Sequence, residues 1–178
     1  MNDITEKKTK IAVFGSAFNP PSLGHKSVIE SLTHFDTVLL IPSIAHAWGK
    51  EMLDYNVRCD MLDLFIQDLG SDKFQRSGIE EELYVPGSSV TTFAVLEKVQ
   101  DVYPSADITF VVGPDNFFNF AKFYKAEEIL SRWSVMACPE KVSIRSTDIR
   151  NELYKMGSVA ELTTKSVAKF LINNKLYK

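Results

Sequence analysis

Short apolar runs alternate with helical patterns along the whole chain, and this alternation constrains the fold more than any other feature of the sequence. Runs of four to six residues that end at glycine, proline or a polar residue are typical of buried strands. Such runs predict five strands, at 10–14, 37–41, 82–85, 107–112 and 134–137. Apolar residues at helical spacing between and after these runs predict helices from about Ser22 and over 53–69, 91–102, 117–133, 147–154 and 166–172.

Strands that are separated by helices pair in parallel through right-handed crossovers. The runs lack the alternation of a half-exposed sheet, so both faces of the sheet should be covered. The sequence therefore predicts an α/β fold, a doubly wound parallel sheet of about five strands, in a single domain over 1–178.

The net charge, the length of the apolar runs and the cysteines limit the partners and the compartment that we expect for this chain. The net charge of −3 gives no overall basic field, so nucleic acid is not expected as a partner. No apolar run is long enough to span a bilayer and the first residues lack a leader pattern, so we expect no membrane association and a cytoplasmic protein. Cys59 and Cys138 fall in apolar patterns and are predicted to be buried free thiols in a reducing compartment.

Doubly wound sheets bind ligands beyond the carboxyl ends of their strands, where the strand order reverses. The segments that follow the predicted strands should therefore share one rim. These segments are 15–25, 42–50, 86–91, 113–116 and 143–150.

The loop after the first strand reads Gly15-Ser-Ala-Phe-Asn-Pro-Pro-Ser-Leu-Gly-His25. Gly15 allows a close backbone approach to a ligand, and the two prolines stiffen the loop. A helix that starts near Ser22 would aim free N–H groups and His25 at the rim, which suits a phosphate. Neither a Walker loop nor a dinucleotide-binding glycine pattern is present. The alternative is a capped turn with a solvent-facing histidine, and we expect the His25 side chain on the solvent side in either case.

A second cluster reads Ser143-Ile-Arg-Ser-Thr-Asp-Ile-Arg150. Ser146 or Thr147 is a candidate N-cap, and hydroxyls, arginines and a helix N-terminus together suit phosphate oxygens. The alternative is a simple cap with surface arginines. Two such helix starts on one rim favour a polyphosphate that lies across the switch point.

These two segments also carry a family resemblance. The first loop resembles the signature of the nucleotidylyltransferases with the HxGH motif, and the second cluster resembles the I-S-S-T-x-I-R motif of their nicotinate or nicotinamide mononucleotide adenylyltransferase branch. Val-Val-Gly113-Pro-Asp115-Asn resembles the G-x-D that follows the fourth strand of that branch. The motifs occur in the family's order and cover nearly the whole chain.

The resemblance implies a Rossmann-like fold and transfer of an adenylyl group from ATP, with Mg²⁺ on the phosphates, to a pyridine mononucleotide. His25 and Arg150 would be catalytic, with His25 donating to the α-phosphate. Contacts to ATP would come from the matched motifs, at Gly15, Ser16, Phe18, Ser22, His25, Gly113, Asp115, Ser146, Thr147 and Arg150. The mononucleotide would contact Lys50, Ser89, Thr91, Phe123 and Tyr124.

The sequence departs from the family pattern mainly on the mononucleotide side. Ser22 replaces the first histidine of the signature, although a hydroxyl occurs there in other branches. Lys50 matches the family's substrate-loop lysine only loosely, with His46 as a substitute, and Phe123 replaces a stacking tryptophan, a role that Trp48 could share. Phe93 stands where the family has an aspartate. ATP binding is therefore the better supported half of the reaction.

Two alternatives stay open. One is a different transferase of the same superfamily, such as a pantetheine-phosphate adenylyltransferase or a cytidylyltransferase, and the other is a nucleotide-binding relative without turnover. The S-x-T pattern at Ser89 resembles the bacterial branch and so favours nicotinate over nicotinamide. Whether the chain forms a homo-oligomer is open.

Overall fold

The computed structural model describes residues 6–45 and 51–178, and five parallel strands of this part of the chain form one sheet. The strands are β1 (Lys10–Ser16), β2 (Thr37–Pro42), β3 (Phe74–Arg76), β4 (Asp107–Val112) and β5 (Ser134–Ala137). Their order across the sheet is β3-β2-β1-β4-β5, with every neighbouring pair parallel. The strand order reverses between β1 and β4, which places the switch point at the carboxyl ends of these two strands. The predicted doubly wound α/β sheet is confirmed.

Helices cover both faces of the sheet. They are α1 (Leu23–Glu30), α2 (Tyr55–Leu69), α3 (Ile79–Leu83), α4 (Thr92–Val102), α5 (Pro114–Phe118), α6 (Ala126–Arg132), α7 (Ser146–Tyr154) and α8 (Lys165–Asn173), with one 3₁₀ turn at Phe120–Lys122. Asp54 and Thr91 cap α2 and α4, since their side-chain oxygens accept backbone N–H groups of the first helical turn. Among the described residues, no helix is both long enough and apolar enough to cross a membrane.

The core consists of two apolar layers, one on each face of the sheet. Along β1, Ala12 and Phe14 belong to one layer, and Ile11 and Val13 to the other. Adjacent side chains of a strand point to opposite faces, so a strand buried on both faces must be apolar throughout. Cys59 and Cys138 are buried free thiols, as predicted.

The predicted third strand at 82–85 is wrong. The third strand is β3, which contains only three residues, of which Phe74 alone is buried. So short and polar a strand gives no apolar run in the sequence. Residues 79–83 form α3 instead, and the segment 86–91 therefore follows a helix rather than a strand.

The predicted helix over 117–133 is broken into α5, the 3₁₀ turn and α6. Lys125 adopts a left-handed conformation with φ of 55° and interrupts the helical hydrogen bonds. The aromatic residues of this region differ in exposure, since Phe117 and Phe118 are exposed while Phe120 is buried. That residues 1–178 make up a single domain stays a prediction.

Candidate active site

The loop after β1 turns directly into α1, as the sequence predicted. Ser22 is the N-cap, and its Oγ accepts the backbone N–H of His25 at 3.3 Å. In return, Nδ1 of His25 accepts the backbone N–H of Ser22 at 3.0 Å. This reciprocal pair of hydrogen bonds fixes the start of the helix and the orientation of the imidazole at once.

The protonation state of His25 follows from these contacts. Because Nδ1 accepts a backbone N–H, the proton of the neutral ring is on Nε2, which lies 3.0 Å from Oγ of Ser16. The ring of Phe18 packs against the imidazole with centroids 4.8 Å apart, and burial lowers the pKa of His25 to about 4. The expectation of a solvent-side histidine is therefore wrong: His25 is half-buried and is a neutral N–H donor at pH 7.

The second helix start is α7, but neither Ser146 nor Thr147 caps it. Arg145 is the N-cap residue, and its backbone N–H donates to Oδ2 of Asp148 at 2.8 Å. The hydroxyls of Ser146 and Thr147 instead form hydrogen bonds with other residues of the site. Oγ of Ser146 donates to the carbonyl of Pro20 at 2.7 Å, and Oγ1 of Thr147 accepts from Arg150 at 3.1 Å.

Several contacts bind the two helix starts to each other. Arg150 donates to the carbonyl of Asn19 at 2.8 Å, and Oγ of Ser22 donates to the carbonyl of Ile144 at 3.0 Å. Gly24 allows this approach, because a Cβ at that position would lie 2.1 Å from the carbonyl oxygen of Ile144. Glycine is therefore required here by a neighbouring backbone rather than by a ligand.

A first cleft of about 300 Å³ opens between these helix starts at the switch point. Its lining contains every residue predicted to bind ATP, namely Gly15, Ser16, Phe18, Ser22, His25, Gly113, Asp115, Ser146, Thr147 and Arg150. The guanidinium of Arg145 also lines it, 3.4 Å from Glu140 and 3.1 Å from Asp115, and these carboxylates raise the pKa of Arg145. The first cleft thus combines two helix N-termini, a neutral histidine and two arginines.

A second cleft of about 250 Å³ adjoins the first, and Gly15 and Asn116 line both. Of the residues predicted to bind a mononucleotide, Ser89 and Phe123 line the second cleft. Thr91 is the N-cap of α4, and Tyr124 is exposed; neither is part of that lining. The predictions for Lys50, and for His46 and Trp48 as substitutes, concern residues outside those that the structure describes.

Arg58 was not predicted as part of the site, yet it holds the loops of both clefts. It is 1% exposed and donates to the carbonyls of Leu53, Ala17, Ser43 and Ile44, at 2.8, 2.9, 2.6 and 3.5 Å respectively. The available signal was its position in α2, where it falls on the helix stripe otherwise formed by buried apolar residues. An arginine on such a stripe has to find acceptors inside the protein.

Glu80 was also missed. It belongs to an acidic run at 80–82, a composition typical of an exposed turn, but Glu80 is only 8% exposed and lies in α3. Its side chain lines the second cleft, and burial raises its pKa to about 7 against the opposing attraction of Arg58. Glu81 and Glu82 are exposed, so nothing in the run of three glutamates distinguishes the buried one.

The fold and the first cleft define a nucleotide-binding α/β protein, and comparison with known proteins identifies its family. The model of the cytidylyltransferase-like family matches residues 13–153, which span the sheet and both helix starts, and the chain belongs to this family. The motifs predicted that the protein is a nucleotidyltransferase, and this class is confirmed.

Proteins similar to this chain carry the name nicotinate-nucleotide adenylyltransferase. A solved structure from Vibrio parahaemolyticus with this assignment is 64% identical, covers 93% of this chain and 99% of its own, and superposes with a TM-score of 0.85. A Caldicellulosiruptor bescii protein with the same assignment is 30% identical over 154 residues, which is 84% of this chain and 74% of the relative. The nicotinic acid mononucleotide adenylyltransferase of Plasmodium falciparum, solved with NaAD, shares the fold at 15% identity, with a TM-score of 0.74 and coverage of 95% and 97%.

Proposed function

We propose that this protein transfers the adenylyl group of ATP to nicotinate mononucleotide and releases pyrophosphate, a step of NAD synthesis. The observation that carries the proposal is the first cleft, in which all the residues predicted for ATP line one space between two cross-linked helix starts. The assigned names of the relatives support nicotinate mononucleotide as the acceptor. Cytoplasmic ATP makes the cytoplasm the expected location.

The first cleft is proposed to hold the triphosphate. The start of α7, with Thr147 and Arg150, would hold the β- and γ-phosphates, while the start of α1 would meet the α-phosphate. Backbone N–H groups at a helix start favour negative charge without any change in protonation. Asp115, which lines the first cleft beside Arg145, is the candidate partner for the ribose of ATP.

The reaction needs no nucleophile from the protein. The phosphate oxygen of the mononucleotide forms a bond to the α-phosphorus of ATP, and the bond from that phosphorus to the pyrophosphate oxygen breaks. The shared wall at Gly15 and Asn116 suits such a direct attack, because a ligand in either cleft can reach its neighbour there. The Nε2–H group of His25 would then donate its hydrogen bond to the α-phosphate oxygens instead of to Ser16. This bond would stabilise the charge that develops on those oxygens.

Magnesium fits this scheme as a companion of the substrate. No group of three or more metal-ligating His, Cys, Asp or Glu side chains occurs in residues 6–45 and 51–178. The phosphates of ATP would supply ligands for Mg²⁺, which offsets part of their charge. The guanidinium groups of Arg145 and Arg150 would offset a further part of the negative charge of the phosphates.

The test is pyrophosphate release from ATP and Mg²⁺, with nicotinate mononucleotide and nicotinamide mononucleotide offered separately. We expect release that depends on the mononucleotide and is faster with the nicotinate form. ATP binding without release in either case would contradict the proposal and point to a nucleotide-binding relative without turnover. Release only with a different phosphate acceptor would point to another transferase of the family.

A further inference from the structure

The second cleft contains one ionisable side chain among the described residues that line it, and that side chain is Glu80. The rest of the lining is apolar or neutral, with Val13, Ile41, Val95, Phe110 and Phe123 providing much of the wall. A carboxyl group that is more than nine-tenths buried and faces a cavity is costly to maintain unless a ligand uses it. The proposed transfer of the adenylyl group gives it no role.

The geometry of the two clefts orients the acceptor. A mononucleotide must present its phosphate to ATP, so the phosphate belongs at the junction that Gly15 and Asn116 form. The pyridine ring then extends away from the junction into the second cleft, beside Phe123. Glu80 lines the second cleft and not the first, so it faces the ring end of the ligand rather than the phosphate end.

The surroundings of Glu80 set its charge. Burial is the main cause that raises its pKa, to about 7, while the guanidinium of Arg58 and the backbone N–H of Ile44 oppose the shift. The donors of Arg58 are already directed at backbone carbonyls. From α4, which packs on α3, Lys98 pairs with exposed Glu82, 3.6 Å away. Near neutral pH, Glu80 can therefore either donate a proton in a hydrogen bond or carry a negative charge.

We propose that Glu80 is the residue by which the second cleft recognises the ring substituent of the acceptor, donating a hydrogen bond from its protonated carboxyl to a ring carboxylate. This inference rests on the proposed function. An ionised Glu80 repels a ring carboxylate but tolerates a carboxamide, whose NH₂ group can donate to it. The preference for nicotinate should accordingly weaken as the pH rises.

The experiment compares kcat/KM of the wild type with that of Glu80→Gln from pH 6.0 to 8.5, for each mononucleotide. The glutamine side chain of this variant stays neutral throughout and can still donate to a carboxylate. Dividing the wild-type value by the variant's value at each pH removes titrations that both proteins share, including those of the substrate phosphates. The matched control is Glu81→Gln, which removes the same charge from the adjacent exposed residue.

With nicotinate mononucleotide, we expect kcat/KM of the wild type, divided by that of E80Q, to fall about 30-fold as the pH rises from 6.0 to 8.5. The reason is that the protonated fraction of a group with a pKa of about 7 falls by that factor. With nicotinamide mononucleotide, measured as a competitive inhibitor if turnover is slow, the ratio should change less than about threefold. The ratio of wild type to E81Q should be flat.

Three outcomes overturn the inference while leaving the proposed function intact. The first is a flat wild-type to E80Q ratio with nicotinate mononucleotide, and the second is an equal fall with both mononucleotides. The third is a ratio that rises with pH for both, which would make Glu80 a counter-ion of the pyridinium ring. If the wild type forms no pyrophosphate with either mononucleotide, the proposed function fails and the inference fails with it. If E80Q does not fold, the same comparison is made with Glu80→Met, for which the nicotinate preference should be lost at low pH.

Discussion

The two clefts meet at one wall, but they are built by different means. The first cleft is lined mainly by residues of two compact motifs, which short hydrogen bonds such as that from Arg150 to Asn19 at 2.8 Å hold together. The second is lined by residues from β1, β2, β4, α3, α4, α5 and the loops between them, with Glu80 as its one ionisable group among the described residues. A triphosphate can be bound by backbone N–H groups of helix starts, whereas a ring substituent needs an individual side chain. In this chain, each half of the proposed phosphate site is a contiguous motif, whereas the proposed acceptor site takes its side chains from many separate elements.

The largest expected effect comes from Arg58, because it contacts loops of both clefts. We expect Arg58→Met to lower the free energy of unfolding by about 3–5 kcal/mol, since it leaves buried carbonyls without donors. Arg58→Lys keeps the charge but lacks the planar fork, so it should recover only part of the loss. Urea unfolding monitored by fluorescence measures both variants.

The matched control for Arg58 is Arg76→Met, which removes a guanidinium from a partly exposed pair with Asp63. That change should cost less than about 1 kcal/mol. If R58M and R76M unfold at the same urea concentration, Arg58 does not hold the two clefts together.

His25 tests the first cleft alone. His25→Ala should lower kcat about 10²–10³-fold, the usual cost of losing one preorganised donor to the reacting centre. Its effect on stability should be smaller, although the ring also packs against Phe18. Steady-state pyrophosphate release gives kcat, and the control is His34→Ala at an exposed position. Normal turnover by H25A would remove His25 from the chemistry.

The pH dependence of stability should have opposite signs for the ionisable groups His25 of the first cleft and Glu80 of the second. The pKa of His25 falls from 6.5 to about 4 on folding, so the unfolded state binds more protons between these values. Stability is therefore lost as the pH falls from 6.5 to 4, by up to about 3 kcal/mol. The pKa of Glu80 rises from 4.5 to about 7, so stability that is present below pH 4.5 is lost as the pH rises to 7, by a similar amount.

These opposite slopes should largely cancel in the wild type between pH 4.5 and 6.5. His25→Gln should then lose stability as the pH rises, and Glu80→Gln should gain it. Urea unfolding at several pH values within this range measures the slopes. Parallel slopes for the two variants would mean that other groups dominate the pH dependence.

The smallest effect is expected at the contact between the two helix starts. Gly24→Ala places a Cβ against the carbonyl of Ile144, a backbone group that cannot move aside easily, and should cost about 1–3 kcal/mol and raise KM for ATP. The second cleft should be unaffected, so KM for the mononucleotide should not change. Thermal unfolding and initial rates measure these effects.

Gly157→Ala is the matched control, because its new Cβ would lie equally close, at 2.2 Å, to the carboxylate end of the Glu152 side chain. A flexible side chain can swing away, so this change should be nearly neutral for activity. Equal losses in the two variants would show that the contact between Gly24 and Ile144 has no special importance.

Sequence patterns predicted β1, β2, β4 and β5, most helices and ten of the residues that line the first cleft, because each depends on apolar runs or on motifs that are contiguous in the chain. The patterns failed at β3, whose three residues have one buried side chain. They also failed at Glu80, because burial of one glutamate in a run of three depends on which way α3 packs. Arg58 gave a weak signal on an apolar stripe, but its acceptors are carbonyls of distant loops that no local pattern reveals.

The contacts between the helix starts have a consequence for synthesis of the chain. Ser22 meets Ile144, 122 positions later, and Asn19 meets Arg150 across 131 positions. A nascent chain therefore carries the first helix start for most of its translation without the second, which completes the proposed phosphate site. Binding of ATP would then report that ribosomal synthesis has passed Arg150, and a chain interrupted before that residue would lack the completed site.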